Sequence, residues 1–396
     1  MTYVKESLAK MPGLSKPRRK FVEFMLSLLL ALPGRATFRN MSRYGPYCEK
    51  TFSRQFAQAF DFLQFNRLLL ADKLEQAEFM LAIDASFVSK SGKKTYGLDK
   101  FFSSSSGRAE KGLEVSLVAL IDTEAGNAYS LLARQTPFFR ATEKATKQER
   151  RMRFYQSQLG AVYKSLPVKP RYIAADGHYA KKSFFDACRR LGLHVIVRLR
   201  SDSNARLLFE GPHPKGRRGP KRKYTDKVDW KSPLQLEFVA MIEEDLLLYT
   251  QVVNSPRFKR NLRIVYLYEP ITGRYVILAS TDLEIDPREL VRLYRLRFQI
   301  EFLFRDSKQH TGLMHAQARD KTKLDFHFNA SLAALNVAKR EHEATGRDVF
   351  SMATRKRISF NELYLDRIIE YLDLAPEFVK LHPAYEKLRN YGAIAA

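Results

Sequence analysis

Two short apolar runs, each followed directly by an aspartate, constrain the fold most strongly. Residues 79–83 are all apolar and precede Asp84, and residues 171–175 end in Ile-Ala-Ala and precede Asp176. Apolar runs of this length are typical of strands buried on both faces of a sheet. A buried carboxylate is costly without a partner, so we expect both aspartates at strand ends, where side chains of neighbouring strands meet.

The segments around these runs predict an α/β fold. Hairpin-connected strands come first, and helices then alternate with strands, which is typical of a mixed sheet. The further elements are strands at 113–121, 129–136 and 194–199 and helices at 144–166 and 181–191. After residue 201 the alternation stops, and five strand candidates follow without helices between them. They lie at 206–210, 234–242, 246–253, 262–268 and 275–279.

A long helix is predicted over residues 286–311. Asp286 and Pro287 form a typical helix start, and Glu289 completes a capping box. Two sets of side chains then recur at helical spacing. The apolar set is Leu293, Leu296, Ile300 and Leu303, and the polar set is Tyr294, Arg297, Glu301 and Lys308. By itself the polar set fits either a solvated salt-bridging face or a metal-binding acid flanked by phosphate-binding groups.

The net charge of the chain indicates which class of molecule it binds. Its 396 residues carry a formal net charge of +25, which favours an acidic partner, with nucleic acid first and a membrane surface second. No run is long enough to span a membrane, and no signal peptide or lipidation motif opens the chain. Cys48 and Cys188 form no spaced motif. We therefore expect a soluble protein of the cytoplasm that does not bind membranes.

The N-terminal residues 1–78 are predicted to be helical. Two short helices, at 37–44 and 49–60, flank a Gly45-Pro46 break, with Gln55 on the second. They fit a DNA-binding helix-turn-helix and an ordinary helical hairpin equally well. A further helix at 324–343 and a small helical tail close the chain.

Asp84, Asp176 and Glu301 together suggest a metal-dependent reaction. Three carboxylates suit hard divalent cations, which take oxygen ligands. Two such ions about 3.5–4 Å apart can activate an attacking oxygen and stabilise the leaving oxygen in phosphoryl transfer. A strand-end aspartate alone is more often structural than catalytic, so the hypothesis depends on all three residues.

These residues resemble the motifs of the DDE transposases of prokaryotic insertion sequences. The aspartates lie in LAIDAS and YIAADGHY, and the late Tyr-x2-Arg-x3-Glu-x6-Lys signature matches without a gap at Tyr294, Arg297, Glu301 and Lys308. The resemblance covers roughly residues 79–340. It implies an RNase H-like mixed-sheet catalytic core interrupted by a β-rich insertion, between a helical N-terminal domain and a small helical C-terminal tail. The predicted domains are 1–78 (DNA-binding), 79–200 (core), 201–283 (insertion), 284–345 (core) and 346–396 (tail).

The resemblance also implies roles. Asp84, Asp176 and Glu301 would hold two Mg²⁺ or Mn²⁺ ions, Arg297 and Lys308 would hold phosphates, and Tyr294 would contact a phosphate near the terminal nucleotides. A water would nick the transposon end, and the freed 3′-hydroxyl would attack the opposite strand or target DNA. The implied partners are double-stranded DNA, as terminal inverted repeats and target, and a second copy in a synaptic homodimer. The protein would be associated with the nucleoid.

The insertion offers further candidate DNA contacts. Trp230, the one tryptophan, either stacks on a flipped base or packs in a core. Residues 213–227 predict a mobile loop whose cations contact phosphates rather than read bases. These cations include Arg217, Arg218, Lys221, Arg222 and Lys223.

Two other functions remain open. One is a catalytically silent DNA-binding descendant of a transposase, against which the three intact carboxylates argue. The other is a two-metal nuclease that cuts without strand transfer.

Overall fold

A twelve-stranded mixed sheet carries helices on both faces in the computed structural model, which describes residues 1–103, 106–209, 211, 222–243, 245–346 and 349–394. The strands are β1 (Phe79–Ser89), β2 (Asp99–Ser103), β3 (Arg108–Asp122), β4 (Ala128–Gln135), β5 (Tyr172–Ala175), β6 (His194–Leu199), β7 (Arg206–Leu208), β8 (Tyr224–Lys227), β9 (Glu237–Glu243), β10 (Leu246–Ser255), β11 (Arg260–Glu269) and β12 (Arg274–Ser280).

The helices divide into an N-terminal group, a central pair and a C-terminal group. The first group is α1 (Thr2–Ala9), α2 (Lys16–Ala31), α3 (Phe38–Met41), α4 (Glu49–Phe56), α5 (Phe62–Leu69) and α6 (Ala71–Gln76). The central pair is α7 (Lys147–Ser165) and α8 (Lys182–Arg190). The last group is α9 (Pro287–Leu296), α10 (Gln299–Asp306), α11 (Lys321–Glu343), α12 (Met352–Tyr371), α13 (Pro376–Leu381) and α14 (Pro383–Arg389). Among these helices none is long and apolar enough to cross a membrane.

The sheet is parallel only at its centre. Its order is β2-β3-β1-β5-β6-β12-β11-β10-β7-β8, with β4 beside β3 and β9 beside β10. β5 pairs in parallel with β1 and β6, and every other pairing is antiparallel. The strands that follow residue 201 continue the same sheet, because β12 pairs with β6 from Ile277 opposite Leu199 to Ser280 opposite Ile196.

Alternation along the central strands separates two apolar layers. Met80 and Ala82 face the layer that contains α2, α9, α10 and α11. Leu81 and Ile83 face the layer that contains α7 and α8. The alternation therefore assigns Asp84, two residues after Ala82, to the α9–α11 face.

Helix α11 lies along β4 and hydrogen-bonds to its backbone. Asn329 accepts from Ala133 N at 2.9 Å and donates to Ala133 O at 2.8 Å. Asn336 does the same with Ser130, at 2.9 and 2.7 Å. Asn329 and Asn336 are seven residues apart on the helix, and Ser130 and Ala133 are three residues apart on the strand. Both separations correspond to about 10 Å, so each amide lies opposite one of these strand residues. A bulge in the β3–β4 register allows residues three apart to face outward together.

The N-terminal helices are tied to each other and to α11 through Arg18. This buried guanidinium donates from Nη1 to Gln55 O at 2.7 Å and from Nη2 to Gln58 O at 3.1 Å. It also lies 5.0 Å from the ring centroid of Phe326 on α11. Arg18 Nη1 also donates to the side-chain oxygen of Gln55 at 2.5 Å, so this oxygen is engaged within the protein. A DNA-binding role for α3 and α4 stays a prediction.

We expect Asn336→Ala to lower the free energy of unfolding by about 3 kcal/mol, because it leaves two buried backbone groups of Ser130 unpaired. The midpoint of urea denaturation would show the loss. The exposed Asn204 makes no hydrogen bond within the described residues, so Asn204→Ala is the matched control. Equal midpoints for the two variants would contradict the role of Asn336.

Candidate functional site

The helix predicted over residues 286–311 is in fact broken. Asp286 caps α9 as expected, accepting from the backbone N of Arg288 at 2.8 Å and of Glu289 at 3.1 Å. The side chain of Glu289 does not complete a capping box but pairs with Arg292 at 2.6 Å.

The break lies between α9 and α10, at residues 297–298. There the backbone makes i→i+3 hydrogen bonds, from Ile300 N to Arg297 O at 3.1 Å and from Glu301 N to Phe298 O at 3.0 Å. After α10 a π-helical turn, Ser307–Thr311, ends at Gly312, whose φ is 82°. Tight and wide turns change the rotation per residue, so a face computed for a regular helix does not extend across them.

The strand register places Asp84 and Asp176 in one row across the sheet. Ile83 pairs with Ala175 and Ala175 with Val197. The residues one step further are Asp84, Asp176 and Arg198, and their side chains belong to the α9–α11 face. Backbone amides orient both carboxylates: Ala85 N donates to Asp84 Oδ1 at 2.8 Å, and His178 N donates to Asp176 Oδ1 at 2.9 Å.

Arg297 connects Glu301 to this row. Its Nη2 donates to Glu301 Oε1 at 2.8 Å, and its Nη1 lies 4.0 Å from Asp84 Oδ2. The Arg297 side chain is only 12% exposed, whereas that of Glu301 is 39% exposed. The Arg297 guanidinium therefore lies between the carboxylates of Glu301 and Asp84 and links them.

The crowding of carboxylates changes the acidity of Asp84. Burial first, and then the charge of Asp176 with a smaller contribution from Glu301, raise its pKa to about 7 against the opposing effects of the Ala85 amide and Arg297. The site therefore favours a bound proton or another positive charge beside Asp84 at neutral pH.

Tyr294 and Lys308 lie beside the same row. Lys308 Nζ donates to Ser86 Oγ at 2.7 Å, and Ser86 follows Asp84 by two residues on the same face of β1. Burial lowers the pKa of Lys308. Burial raises the pKa of the Tyr294 phenol, on which Arg297, Arg198 and Asp176 also act. The structure thus brings all four residues of the late motif to the two aspartates.

The donor set suits a hard divalent cation in its chemistry, because it consists of carboxylate oxygens with excess negative charge. In the arrangement described here, however, Glu301 is engaged by Arg297. Within the described residues no group of three or more His, Cys, Asp or Glu side chains is arranged to hold a metal ion. A cation bound by Asp84, Asp176 and Glu301 together therefore requires Glu301 to rearrange, since its Oε1 accepts from Arg297 in this structure.

Trp230 packs in the core rather than presenting its ring to solvent. It is 5% exposed, its Nε1 donates to Ser203 O at 2.5 Å, and its ring lies parallel to that of Tyr266 with centroids 6.3 Å apart. Of the two alternatives for this residue, the structure supports core packing. Stacking on a base would require the Trp230 ring to leave its buried position against Tyr266.

The cations of the predicted basic loop are only partly described. Arg222 and Lys223 are exposed just before β8, and the Arg222 guanidinium lies 5.2 Å from the Phe209 ring centroid. Arg217, Arg218 and Lys221 lie outside the described residues.

Arg198 is a site residue that the sequence analysis missed. It is exposed, and it has no ion-pair partner in the described part of the chain. A cleft of about 770 Å³ next to Asp176 is lined by Arg198, Arg200 and Arg274. The signal was present in the sequence, because Arg198 interrupts the otherwise apolar end of β6.

We expect Asp84→Asn to raise the free energy of unfolding by about 3 kcal/mol at pH 8 and by less at pH 5. A raised folded-state pKa means that the wild type loses stability as pH rises from about 4 to about 7, and asparagine avoids that loss. Denaturation midpoints without divalent ions would measure it, with the exposed Asp226→Asn as control. Equal effects at both pH values would contradict the assignment.

Comparison with known proteins supplies the family. Residues 11–246, well over half of the chain, match the family described as DDE superfamily endonuclease. The match includes Asp84 and Asp176 and ends before α9. No curated protein matches the chain. Among solved structures, endonuclease V from Bacillus subtilis is 12% identical with a TM-score of 0.27, and the likeness covers 74% of this chain and 97% of that one. The chain belongs to the DDE superfamily endonuclease family.

Proposed function

We propose that this protein is a DNA transposase that cleaves strands at the ends of a mobile element and transfers them into target DNA. Membership of its family makes it a nuclease that acts on DNA. The observation that carries the finer proposal is the convergence of Asp84, Asp176 and Glu301 with the complete Tyr294-to-Lys308 motif at one row of the sheet.

The fold supports this proposal. The central order β4-β3-β1-β5-β6, antiparallel in its first three strands and parallel in its last three, is the arrangement expected of an RNase H-like core. Strands β7 to β12 lie in the chain between Asp176 and Glu301, where the insertion was predicted. The predicted domain boundaries remain part of the proposal.

Asp84 and Asp176 would hold Mg²⁺ or Mn²⁺, and Glu301 would join them once Arg297 moves to another anion. When bound, the ions supply the positive charge that stabilises phosphoryl transfer and the acidity of an attacking hydroxyl. A scissile phosphate is an anion that could draw Arg297 away from Glu301, since a guanidinium binds phosphate with two donors. The pairing seen here then corresponds to a site before DNA enters.

Lys308 and Tyr294 would contact phosphates beside the reacting one. Lys308 is held by the neutral Ser86 hydroxyl and makes no ion pair within the described residues, so its charge is free for an anion. Tyr294 lies under the Arg297 guanidinium, with 5.5 Å between the guanidinium carbon and the ring centroid. The proposal includes terminal inverted repeats and target DNA as substrates, a homodimer on paired ends, and a location at the nucleoid.

A nuclease without strand transfer is the second candidate, favoured by the description of the family as endonucleases. A duplex that carries the DNA flanking this gene separates the two in Mg²⁺. Nicked ends alone indicate the nuclease, whereas products joined to a second duplex indicate the transposase. Binding without cleavage would indicate a silent descendant.

We expect Asp84→Ala, Asp176→Ala and Glu301→Ala each to reduce strand cleavage by at least about a thousandfold, while duplex binding is retained, because each removes charge at the reacting phosphate. Gel analysis of end-labelled DNA measures cleavage, and Asp226→Ala serves as an exposed control. Cleavage that survives any one of the three substitutions would remove that residue from the proposed catalytic set.

We expect Mn²⁺ to raise the melting temperature of the wild type but not of Asp84→Asn, since a ligand that binds the folded state stabilises it. The increase should grow between pH 5 and pH 8, because the cation must displace the proton that Asp84 holds below about pH 7. Thermal denaturation with and without the ion provides a measurement independent of activity. An increase that is the same in Asp84→Asn would place the ion elsewhere.

A further inference from the structure

Three separate chain segments meet beyond the end of β1. They are the turn at residues 90–98, the loop at residues 312–320 and the connection at residues 32–37 between α2 and α3. Tyr96 N donates to Arg319 O at 2.9 Å, and Ala36 N donates to His315 Nδ1 at 3.0 Å. Lys90, directly after β1, donates to the backbone oxygen of Ala316.

These segments present a group of exposed cations, which we call the β1-end basic surface. Its members are all exposed, and none has an ion-pair partner among the described residues. They are Arg35, Lys93, Lys94, Arg319 and Lys321. Among the described acids near these cations, Asp320 is engaged by Lys323 at 3.6 Å, and the half-buried Asp325 interacts with Lys321.

The cations are close enough to influence neighbouring groups. Arg319 helps burial to lower the pKa of Lys90, and Arg35 helps burial to lower the pKa of His315. Uncompensated positive charge of this kind is unfavourable for the free protein. A bound polyanion would neutralise these cations and remove the repulsion between them.

The turn that carries Lys93 and Lys94 is held in place. Thr95 is buried and donates to Ser91 O at 3.0 Å, and the Gln135 side chain donates to Tyr96 O at 2.5 Å. Gly97 has a φ of 70°, and a Cβ there would meet Gln135 Nε2 at 2.4 Å. The lysines therefore project from a fixed backbone, which lowers the entropy cost of binding.

The distance from the candidate site to this surface can be expressed in base pairs of a duplex that runs along β1. Lys90 follows Asp84 by six residues along β1, which corresponds to about 20 Å. At 3.4 Å per base pair, that distance is about six base pairs. Lys308, bound to Ser86, lies between the two positions. A duplex with its scissile phosphate at Asp84 would reach the β1-end basic surface about half a helical turn away.

We propose that the β1-end basic surface binds the phosphate backbone of duplex DNA about six base pairs from the cleaved bond. This assignment rests on the proposed function for the position of the cleaved bond. It makes the N-terminal segment, the β1–β2 turn and the loop before α11 one composite surface.

Fluorescence anisotropy with a labelled 30-base-pair duplex of mixed sequence tests binding without requiring cleavage. The test variant is Lys93→Ala/Lys94→Ala/Arg319→Ala. The control Lys164→Ala/Arg189→Ala/Arg190→Ala removes the same charge from exposed positions on or near α7 and α8. We expect the slope of log affinity against log salt to fall by about 2 to 3 for the test variant and to stay unchanged for the control.

The proposal is overturned if both triple variants behave alike or if the wild type does not bind the duplex. A cleavage assay on the same proteins separates this inference from the proposed function. Salt-dependent binding that needs Lys93, Lys94 and Arg319 but leads to no cut would leave the surface in place and remove the transposase. If the wild type cleaves DNA and both triple variants bind it equally well, the proposed function is kept and the β1-end basic surface is ruled out.

Discussion

The register of three parallel strands is the constraint on which the candidate site depends. β1, β5 and β6 pair so that Asp84, Asp176 and Arg198 share a row and a face. A slip of one residue in either pairing would send a carboxylate to the opposite face, into the layer of α7 and α8. The apolar residues that precede the aspartates prevent such a slip, because they are buried on both sides of the sheet.

Arg297 is the cation that directly pairs with the carboxylates of the row. Two neighbouring carboxylates and a third on α10 repel one another, and Arg297 lies among them, with Arg198 and Lys308 beside it. Arg297 lies in the tightened turn at residues 297–298, and Glu301 lies in the helix that follows, within hydrogen-bonding distance of it. A group that pairs with Arg297 instead would release Glu301, so access of an anion and availability of the third carboxylate are coupled.

Sequence patterns predicted the elements in which a run of apolar residues indicates burial. β6 matches its predicted bounds, and Asp176 follows its strand as expected. The prediction that Asp84 ends a strand is wrong, because β1 continues through Asp84 to Ser89 by pairing with β3. β8 was missed because Tyr224–Lys227 has no apolar pattern and forms a strand only by pairing with β7. The helix break and the burial of Trp230 depend on tertiary contacts, which spacing along the chain does not contain. The motif predicted which late residues gather at the site. Arg198 lies outside the motif; the sequence shows a cation in an otherwise apolar strand, and the register shows that it lies next to Asp176.

The asparagines of α11 have a consequence for association between chains. A strand with free backbone groups can recruit a strand from another molecule, which leads to aggregation. Along β4 the amides of Asn329 and Asn336 already occupy two of these positions, so a foreign strand would have to displace a helix. At the far end of the sheet, charged side chains such as Asp226 and Glu237 oppose the same addition. These two edges of the sheet therefore resist the addition of a foreign strand.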